Sequence, residues 1–366
     1  MFSVKRVYAS GIRSALLLTA FLFMVNCLNA QQLLRVAVAG LTHDHVHNIM
    51  NQYKRKEVVI LGIAESDPQL VARYKKSYQL PDSLFYTNLD DLLRHVKPDA
   101  VLAYNAISEH LAVIEACAPK GISVMVEKPL TTTVKDAERV AELAKKYNIH
   151  VLTNYETTWY NSNQQIKDIV AQQSIGDIRK MIVHSGHQGP KEIGCSKDFL
   201  QWLTDPVKNG GGAIRDFGCY GANLMTWLMN GKAPIAVTAV THRIKPNVYP
   251  KVDDDATILL EYADATGIVE ASWNWPFGIK DMEVFGVTGY LHALNGNTLQ
   301  QRMKDKYEDL PVKQAAYKDN LPYLADVLSG KIKPGNDLSS LENNIIVVRI
   351  LEAASKSARE GKRIVL

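Results

Sequence analysis

Gly121-Ile122-Ser123-Val124-Met125-Val126-Glu127-Lys128-Pro129-Leu130 is an apolar run too short for a helix, closed by a charged pair and a proline. Such a run predicts a buried strand of a parallel sheet. Ligands of open α/β sheets bind beyond the carboxyl ends of the strands, so Glu127 and Lys128 arrive where chemistry is done. Pro129 keeps Lys128 out of the helical region and permits a cis bond before it. Alone, the pair reads equally as a solvated strand end.

A second stretch changes that balance: Gly210-Gly211-Gly212-Ala213-Ile214-Arg215-Asp216-Phe217-Gly218-Cys219-Tyr220. A glycine run leads into a helix, and on one helix Asp216 and Tyr220, four apart, share a face. Together, Glu-Lys-Pro and this motif resemble the glucose-fructose oxidoreductase/inositol dehydrogenase family, Gfo/Idh/MocA, over nearly all of the chain after residue 33. The resemblance implies an α/β Rossmann nucleotide-binding domain followed by an α+β domain with an open, mainly antiparallel sheet. It also implies an oxidoreductase acting on CH–OH groups. Where the family usually places a histidine this chain has Tyr220, as its glucose-fructose oxidoreductase and dihydrodiol dehydrogenase branches do.

Lys5, Arg6 and Arg13 precede the apolar run from Ala15 to Val25, and Leu28-Asn29-Ala30 offers small-residue cleavage. The expectation is a secretory signal peptide over residues 1–30, since the run is shorter than the roughly 20 residues that cross a bilayer. Export to the periplasm or medium follows, with lipoprotein anchoring through Cys27 disfavoured by Asn26 before it. Without that leader, which carries three basic residues and no acidic one, the formal charge falls from +4 to +1. Nothing in that balance selects nucleic acid or an anionic membrane as partner. Cys117, Cys195 and Cys219 remain, an odd count without CxxC spacing, which argues against a disulfide framework or a zinc site. About 336 residues suggest two domains, a Rossmann domain over 31–153 and a substrate and oligomerisation domain over 154–366.

The first strand, from Leu34, runs into Gly40-Leu41-Thr42-His43-Asp44-His45-Val46-His47 and then a helix. Strand, glycine turn and helix make an opening for a dinucleotide's phosphates. Only Gly40 matches GxGxxG; Thr42 and His45 replace the later glycines, so the diphosphate sits further out or the loop is wider. His43 and His45 are expected to line that crevice and His47 to be a helix residue. No metal is expected, because the sequence shows no cysteine or carboxylate cluster beside these histidines. The second strand ends at Glu65, placed to hold the adenosine ribose hydroxyls and to repel a 2′-phosphate, which favours NAD over NADP. Asp67 before Pro68 is the helix cap, leaving Glu65 free. The resemblance adds Asn105, His110, Glu127 and Lys128 as cofactor-contacting positions, with a helix-surface histidine the alternative for His110.

Thr133 to Asp136 reads as a capping box, and the strand from Ile149 to Thr153 closes the first domain. Asn154-Tyr155-Glu156-Thr157-Thr158-Trp159 follows at the junction, a polar and aromatic segment suited to a ligand with many hydroxyls. Six short strands come next, from residues 178, 236, 256, 266, 281 and 289, and the closing helix spans Leu341 to Glu360. In the family this second sheet serves substrate binding and subunit pairing, so a homo-oligomer is expected. Candidate substrate contacts are Asn154, Tyr155, His187, Trp202 and Asn223, with Gln188 and Lys191 beside them.

The expected chemistry is hydride transfer between NAD and a hydroxyl of a sugar, sugar derivative or cyclitol. Tyr220 is the base, its phenol lowered by Lys128 and the positive nicotinamide; Lys128 polarises the oxygen and Asp216 orients both. Two alternatives use the same residues differently. One is an NAD-dependent glycosidase that oxidises a glycoside transiently, and the other a carbohydrate-binding protein that has lost catalysis.

Overall fold

The computed structural model describes residues 33–366; the expected leader and Cys27 lie outside the described residues. The opening half alternates strand and helix: β1 (Arg35–Ala39), α1 (Val46–Lys54), β2 (Val59–Ala64), α2 (Pro68–Tyr78), β3 (Phe85–Tyr86), α3 (Leu89–His95), β4 (Ala100–Ala103), α4 (His110–Cys117), β5 (Ser123–Glu127), α5 (Val134–Tyr147) and β6 (Val151–Asn154). The strands form one parallel sheet in the order β3-β2-β1-β4-β5-β6. Every residue of β5 is buried, which is why its apolar run lacks alternation. The order reverses between β1 and β4, so a ligand crevice opens at their carboxyl ends. Asp67 caps α2 by accepting from Gln69 and Leu70, and Thr133 caps α5 by accepting from Asp136.

The second half comprises α6 (Asn161–Ala171), β7 (Ile178–Gly186), α7 (Lys197–Leu203), α8 (Ala213–Asp216), α9 (Gly218–Leu228), β8 (Ala236–His242), β9 (Asp255–Glu261), β10 (Thr266–Ser272), β11 (Ile279–Gly286), β12 (Tyr290–Asn295), β13 (Thr298–Arg302), β14 (Glu308–Leu310), α10 (Asn320–Leu328), α11 (Leu341–Glu360) and β15 (Ile364–Val365). These strands form one sheet, β14-β13-β12-β11-β7-β10-β9-β8-β15. All its pairings are antiparallel except β7 with β10. β9 alternates buried and exposed residues, as expected of a sheet with one covered face. Helix α9, buried throughout, covers that face, and α11 packs on α9, β8 and α5. Val348 of α11 belongs to the core of the first sheet while Val347, Ile350 and Leu351 belong to that of the second. Residues Arg35–Leu366 accordingly form one compact unit. Among the described residues, no helix is long and apolar enough to cross a membrane.

One expectation about local structure is corrected. Asp216 and Tyr220 do not share a helix, because the chain breaks at Phe217 between α8 and α9. Asp253, from a distant part of the chain, pins the start of the short α8: its carboxylate accepts from Gly212 N at 2.9 Å and Ile214 N at 2.7 Å. A side chain at Gly212 would lie 1.7 Å from the Asp253 carbonyl oxygen, so glycine is required there.

Candidate active site

Lys128 leaves the end of β5 after a chain of buried residues and meets α8 across the crevice. Its ammonium donates to Asp216 Oδ1 at 2.5 Å and to the Asp216 carbonyl at 3.2 Å. Both side chains are buried, at 6% and 7% exposure. Burial alone would pull the ammonium down, but Asp216 outweighs it and Lys128 is held above the ordinary lysine value. Burial would likewise push Asp216 up, and the Lys128 charge outweighs it, so the carboxylate is held low. The pair is therefore ionised. The other Asp216 oxygen accepts from Trp273 Nε1 at 3.0 Å, so the carboxylate is fixed from two sides. An ammonium has three donors, and two of Lys128's are used within the protein.

Tyr220, on the first turn of α9, brings its ring beneath this pair. Lys128 Nζ lies 5.2 Å and Lys280 Nζ, from β11, 4.8 Å from the ring centroid. Tyr155 packs edge-on at 5.6 Å and Phe217 stacks at 6.0 Å. The expected lowering of the phenol invokes Lys128 and the positive nicotinamide together; in the protein alone, burial, and then the carboxylates of Glu156, Asp216 and Glu127 with Cys219, raise Tyr220 well above its ordinary value. The reason is that both ammoniums are already matched, Lys128 by Asp216 and Lys280 by Glu156. Tyr220 is a neutral phenol in the protein alone. His187 does not replace it as a base. Its Nδ1 accepts from Gly189 N at 2.9 Å, which leaves the proton of the neutral ring on Nε2.

Beside the lysine, Glu127 anchors a chain of polar contacts. Its Oε2 accepts from His45 Nδ1 at 2.8 Å, and its Oε1 from Asn154 Nδ2 at 2.9 Å. Asn154 Oδ1 in turn accepts from Trp159 Nε1 at 3.1 Å. Burial would raise Glu127, but His45 and Asn154 keep it low and charged. His43, His45 and Glu127 offer ligand atoms all within 4.8 Å of one another, a grouping of metal-site dimensions that spacing in sequence did not reveal. The hydrogen bonds assign the atoms otherwise. His43 Nδ1 accepts from His45 N at 3.1 Å, so the His43 proton sits on Nε2 and no lone pair is left for an ion.

Before β2 ends, the glycine turn is drawn tight. Gly40 has φ +80, and a side chain there would lie 2.7 Å from Asn105 Cβ. Glu65 accepts from Leu41 N and Asp67 N, both at 2.9 Å, so it is not free as expected; two of a carboxylate's four acceptor positions remain. A groove of about 290 Å³ runs past Gly40, Thr42, Glu65, Asn88 and Asn105.

Two family descriptions match this chain: "Oxidoreductase family, NAD-binding Rossmann fold" over residues 34–155, and "GFO/IDH/MocA C-terminal domain" over 163–292. The chain belongs to the Gfo/Idh/MocA family. Its similar curated relatives include the trans-1,2-dihydrobenzene-1,2-diol dehydrogenase of Xenopus tropicalis, 22% identical over 56% of this chain and 57% of that protein. Another is the rhizopine catabolism protein MocA of Rhizobium meliloti, 25% identical over 57% and 63%. The chain thus spans about three fifths of these relatives. Similar solved structures are an aldose-aldose oxidoreductase of Caulobacter crescentus complexed with glycerol (22% identity, TM-score 0.77, 92% of this chain and 100% of that one) and an inositol dehydrogenase homolog complexed with NAD+ from Azotobacter vinelandii (18%, 0.78, 92% and 98%). At these identities the likeness is one of fold.

The residues present fit the family's NAD. Glu65 and the groove beside it suit an adenosine ribose. Three buried polar atoms without a partner among the described residues, His43 Nε2, Asn105 Oδ1 and His110 Nε2, gather after β1 and β4, where the sheet order reverses. His110 is not on the helix surface: it is fully buried, donates from Nδ1 to the Leu130 carbonyl at 3.0 Å and is lowered by burial to about 4. Thr42 and His45 open to cavities, whereas His43 is buried against Phe199 and Trp202. His47 meets the Tyr78 hydroxyl at 2.6 Å and is a helix residue.

Two substrate positions are corrected. Trp202 is 3% exposed, packs on His43 and donates to the Thr42 carbonyl at 3.4 Å, sealing the loop where a sugar platform was expected. Asn223 is fully buried and donates to the Leu338 carbonyl at 2.8 Å, joining α9 to the start of α11. Tyr155 is also fully buried and supports the Tyr220 ring. Asn154 lines a cavity and His187 lies near Phe217, 4.9 Å between rings. Lys280 and Trp273, to which the sequence attaches no role, complete the surroundings with Glu156 of the junction segment.

Proposed function

We propose that this chain is an exported NAD-dependent oxidoreductase of a sugar, sugar derivative or cyclitol. One observation carries the reading: a buried ammonium, a carboxylate and a phenol converge from three elements beside a dinucleotide crevice. NAD, when bound, supplies the hydride acceptor. Lys128 directs its third N–H at the substrate oxygen and stabilises negative charge developing there. Asp216 keeps that ammonium charged and aimed. Tyr220 receives the hydroxyl proton, and since the protein alone holds its phenol high, added positive charge in the loaded site is what brings it into range. The cations facing Tyr220 are each neutralised by a carboxylate, which suits an uncharged polyol. The order of basic, apolar and small residues in 1–30 supports export, and the open face of the second sheet supports self-association.

The test is nicotinamide reduction by purified protein with a panel of neutral sugars, cyclitols and glycosides, together with identification of any nucleotide released on denaturation. Lys128→Met should abolish reduction in a protein that still folds but melts lower, since Asp216 is left as a buried unpaired charge, and Tyr220→Phe should lose most of the rate along with its pH-dependent limb. If neither protein nor variants reduce NAD with any of the panel, yet one of the sugars binds, the carbohydrate-binding reading takes its place.

A further inference from the structure

Two cavities meet at Trp159. The first, of about 330 Å³, starts at the His45–Glu127 pair and runs along α1 past Asn48, Asn51 and Gln52. The second, of about 470 Å³, is walled by Trp227, Tyr317 and Tyr323, with Asp168 at its edge. Trp159 lines both. Its indole is held in place from two directions. The N–H donates to Asn154, itself bonded to Glu127, so the ring is tied by two hydrogen bonds to the strand that carries Lys128. On the other side its centroid lies 5.6 Å from that of Tyr323, whose hydroxyl donates to Asp337 at 2.8 Å. An indole serving only as packing would be enclosed, whereas this one is half-buried between two open spaces.

The linings differ in a way that identifies a ligand. Gln52 is 5% exposed, yet no hydrogen bond joins its carboxamide, or those of Asn48 and Asn51, to another protein group among the described residues. Carboxamides facing a cavity serve hydroxyl groups, as donor and acceptor in one side chain. The second cavity instead presents aromatic rings, which take the apolar face of a sugar or an aryl group. Cavities of these sizes sit at the small end of the roughly 300–1,000 Å³ typical of ligand sites, so each suits a single ring. Glu156 lines the first cavity and is ion-paired to Lys280, which overlies Tyr220, so this cavity is linked to the Tyr220 ring through one ion pair, while Lys128, Asp216 and Tyr220 lie outside its lining.

We propose that Trp159 is a stacking platform between two ring subsites, and that the ligand is a disaccharide or aryl glycoside: one ring occupies the first cavity and the second ring the aromatic one. This rests on the sugar-oxidoreductase reading for the first ring only. Calorimetric titration of the full chain tests it, with glucose, galactose and mannose set against their α- and β-linked disaccharides and 4-nitrophenyl glycosides. At least one two-ring ligand should bind about tenfold or more tighter than its single sugar. Trp159→Leu should remove that advantage, and Asp168→Ala, altering only the second cavity, should weaken the two-ring ligand and leave the single sugar's affinity alone. Equal affinity for one and two rings, no binding of any two-ring ligand, or an advantage that survives Trp159→Leu each overturn the proposal. Turnover is read separately: differential binding without NAD reduction leaves the two-ring site standing and removes the oxidoreductase reading.

Discussion

Replacing Asp216 by Asn keeps the shape of the site and removes one charge, and its consequences can be worked through from the geometry. Two donors, Lys128 Nζ at 2.5 Å and Trp273 Nε1 at 3.0 Å, converge on separate carboxylate oxygens. A carboxamide offers one oxygen, so one donor is left facing an NH2 group whichever way the amide is turned. Stranding one partner of a buried ion pair costs about 3–5 kcal/mol, against a total stability of about 5–15 kcal/mol. At about 2 °C per kcal/mol the melting point should fall by roughly 6–10 °C near neutral pH. The pH dependence identifies the cause. In the parent, Asp216 is held low, so its contribution is present above the ordinary carboxylate value and lost as pH falls through the folded one. Lys128 is held high, so its contribution is present below the ordinary lysine value and lost as pH rises through the folded one. In Asp216→Asn the ammonium keeps its burial and loses its main partner, so its folded value drops below the ordinary one. Between those two values the unfolded chain then binds more protons, and the variant gains stability as pH rises. Thermal melts of both proteins from about pH 7 to about pH 9.5 should show the deficit narrowing toward the alkaline end. A deficit that is absent near neutrality, or constant over that range, would show that Lys128 does not depend on Asp216 for its charge.

Glu65→Ala should weaken NAD binding and relax discrimination against NADP, and should also lower stability by about 1 kcal/mol per hydrogen bond lost to Leu41 and Asp67; calorimetry that finds parental NAD affinity removes Glu65 from the ribose site. Lys280→Gln removes one cation from the face of Tyr220 and frees the Glu156 carboxylate, so both changes raise the phenol and the rising limb of the pH–rate profile should move to higher pH. An unmoved limb in that variant would place Lys280 in a structural role. Asn223→Ala should destabilise the fold by about 1–3 kcal/mol, because it removes a buried carboxamide that donates to the Leu338 carbonyl and leaves the buried Asn344 Oδ1 without its donor, and should leave the affinity for sugars as it was; a loss of sugar affinity without a change in melting point returns Asn223 to the substrate site.

What could be read from the chain follows from how far apart cause and effect lie in it. The strand ending at Lys128 is legible because continuous burial leaves a continuous apolar run, and the caps at Asp67 and Thr133 because each acts on amides two or three residues away. The closing helix is legible at both ends for the same reason, with Ser340 before it and Gly361, in the left-handed region, after it. The anchoring of α8 is not, since Asp253 holds its first amides from outside the motif. Likewise Glu127 meets His45 across 82 residues and Lys280 meets Glu156 across 124, so neither pair leaves a local pattern.

Tyr220 shows why naming a candidate side chain is weaker than knowing its state. Counting protein charges near it in the motifs finds one cation, Lys128, to which the expectation of a lowered phenol adds the nicotinamide. The structure finds two, and the phenol is nevertheless raised. Each ammonium approaches with its own carboxylate, and a pair seen from a third group contributes little net field, while the burial that brings the pairs together acts on the phenol in full. On the proposed function the loaded site would gain a cationic ring, and the carboxylates nearest Tyr220, Asp216 and Glu156, already have ammonium partners. On that reading Tyr220 would become a base only when an unmatched positive charge arrives, which would couple proton removal to the presence of an oxidised cofactor.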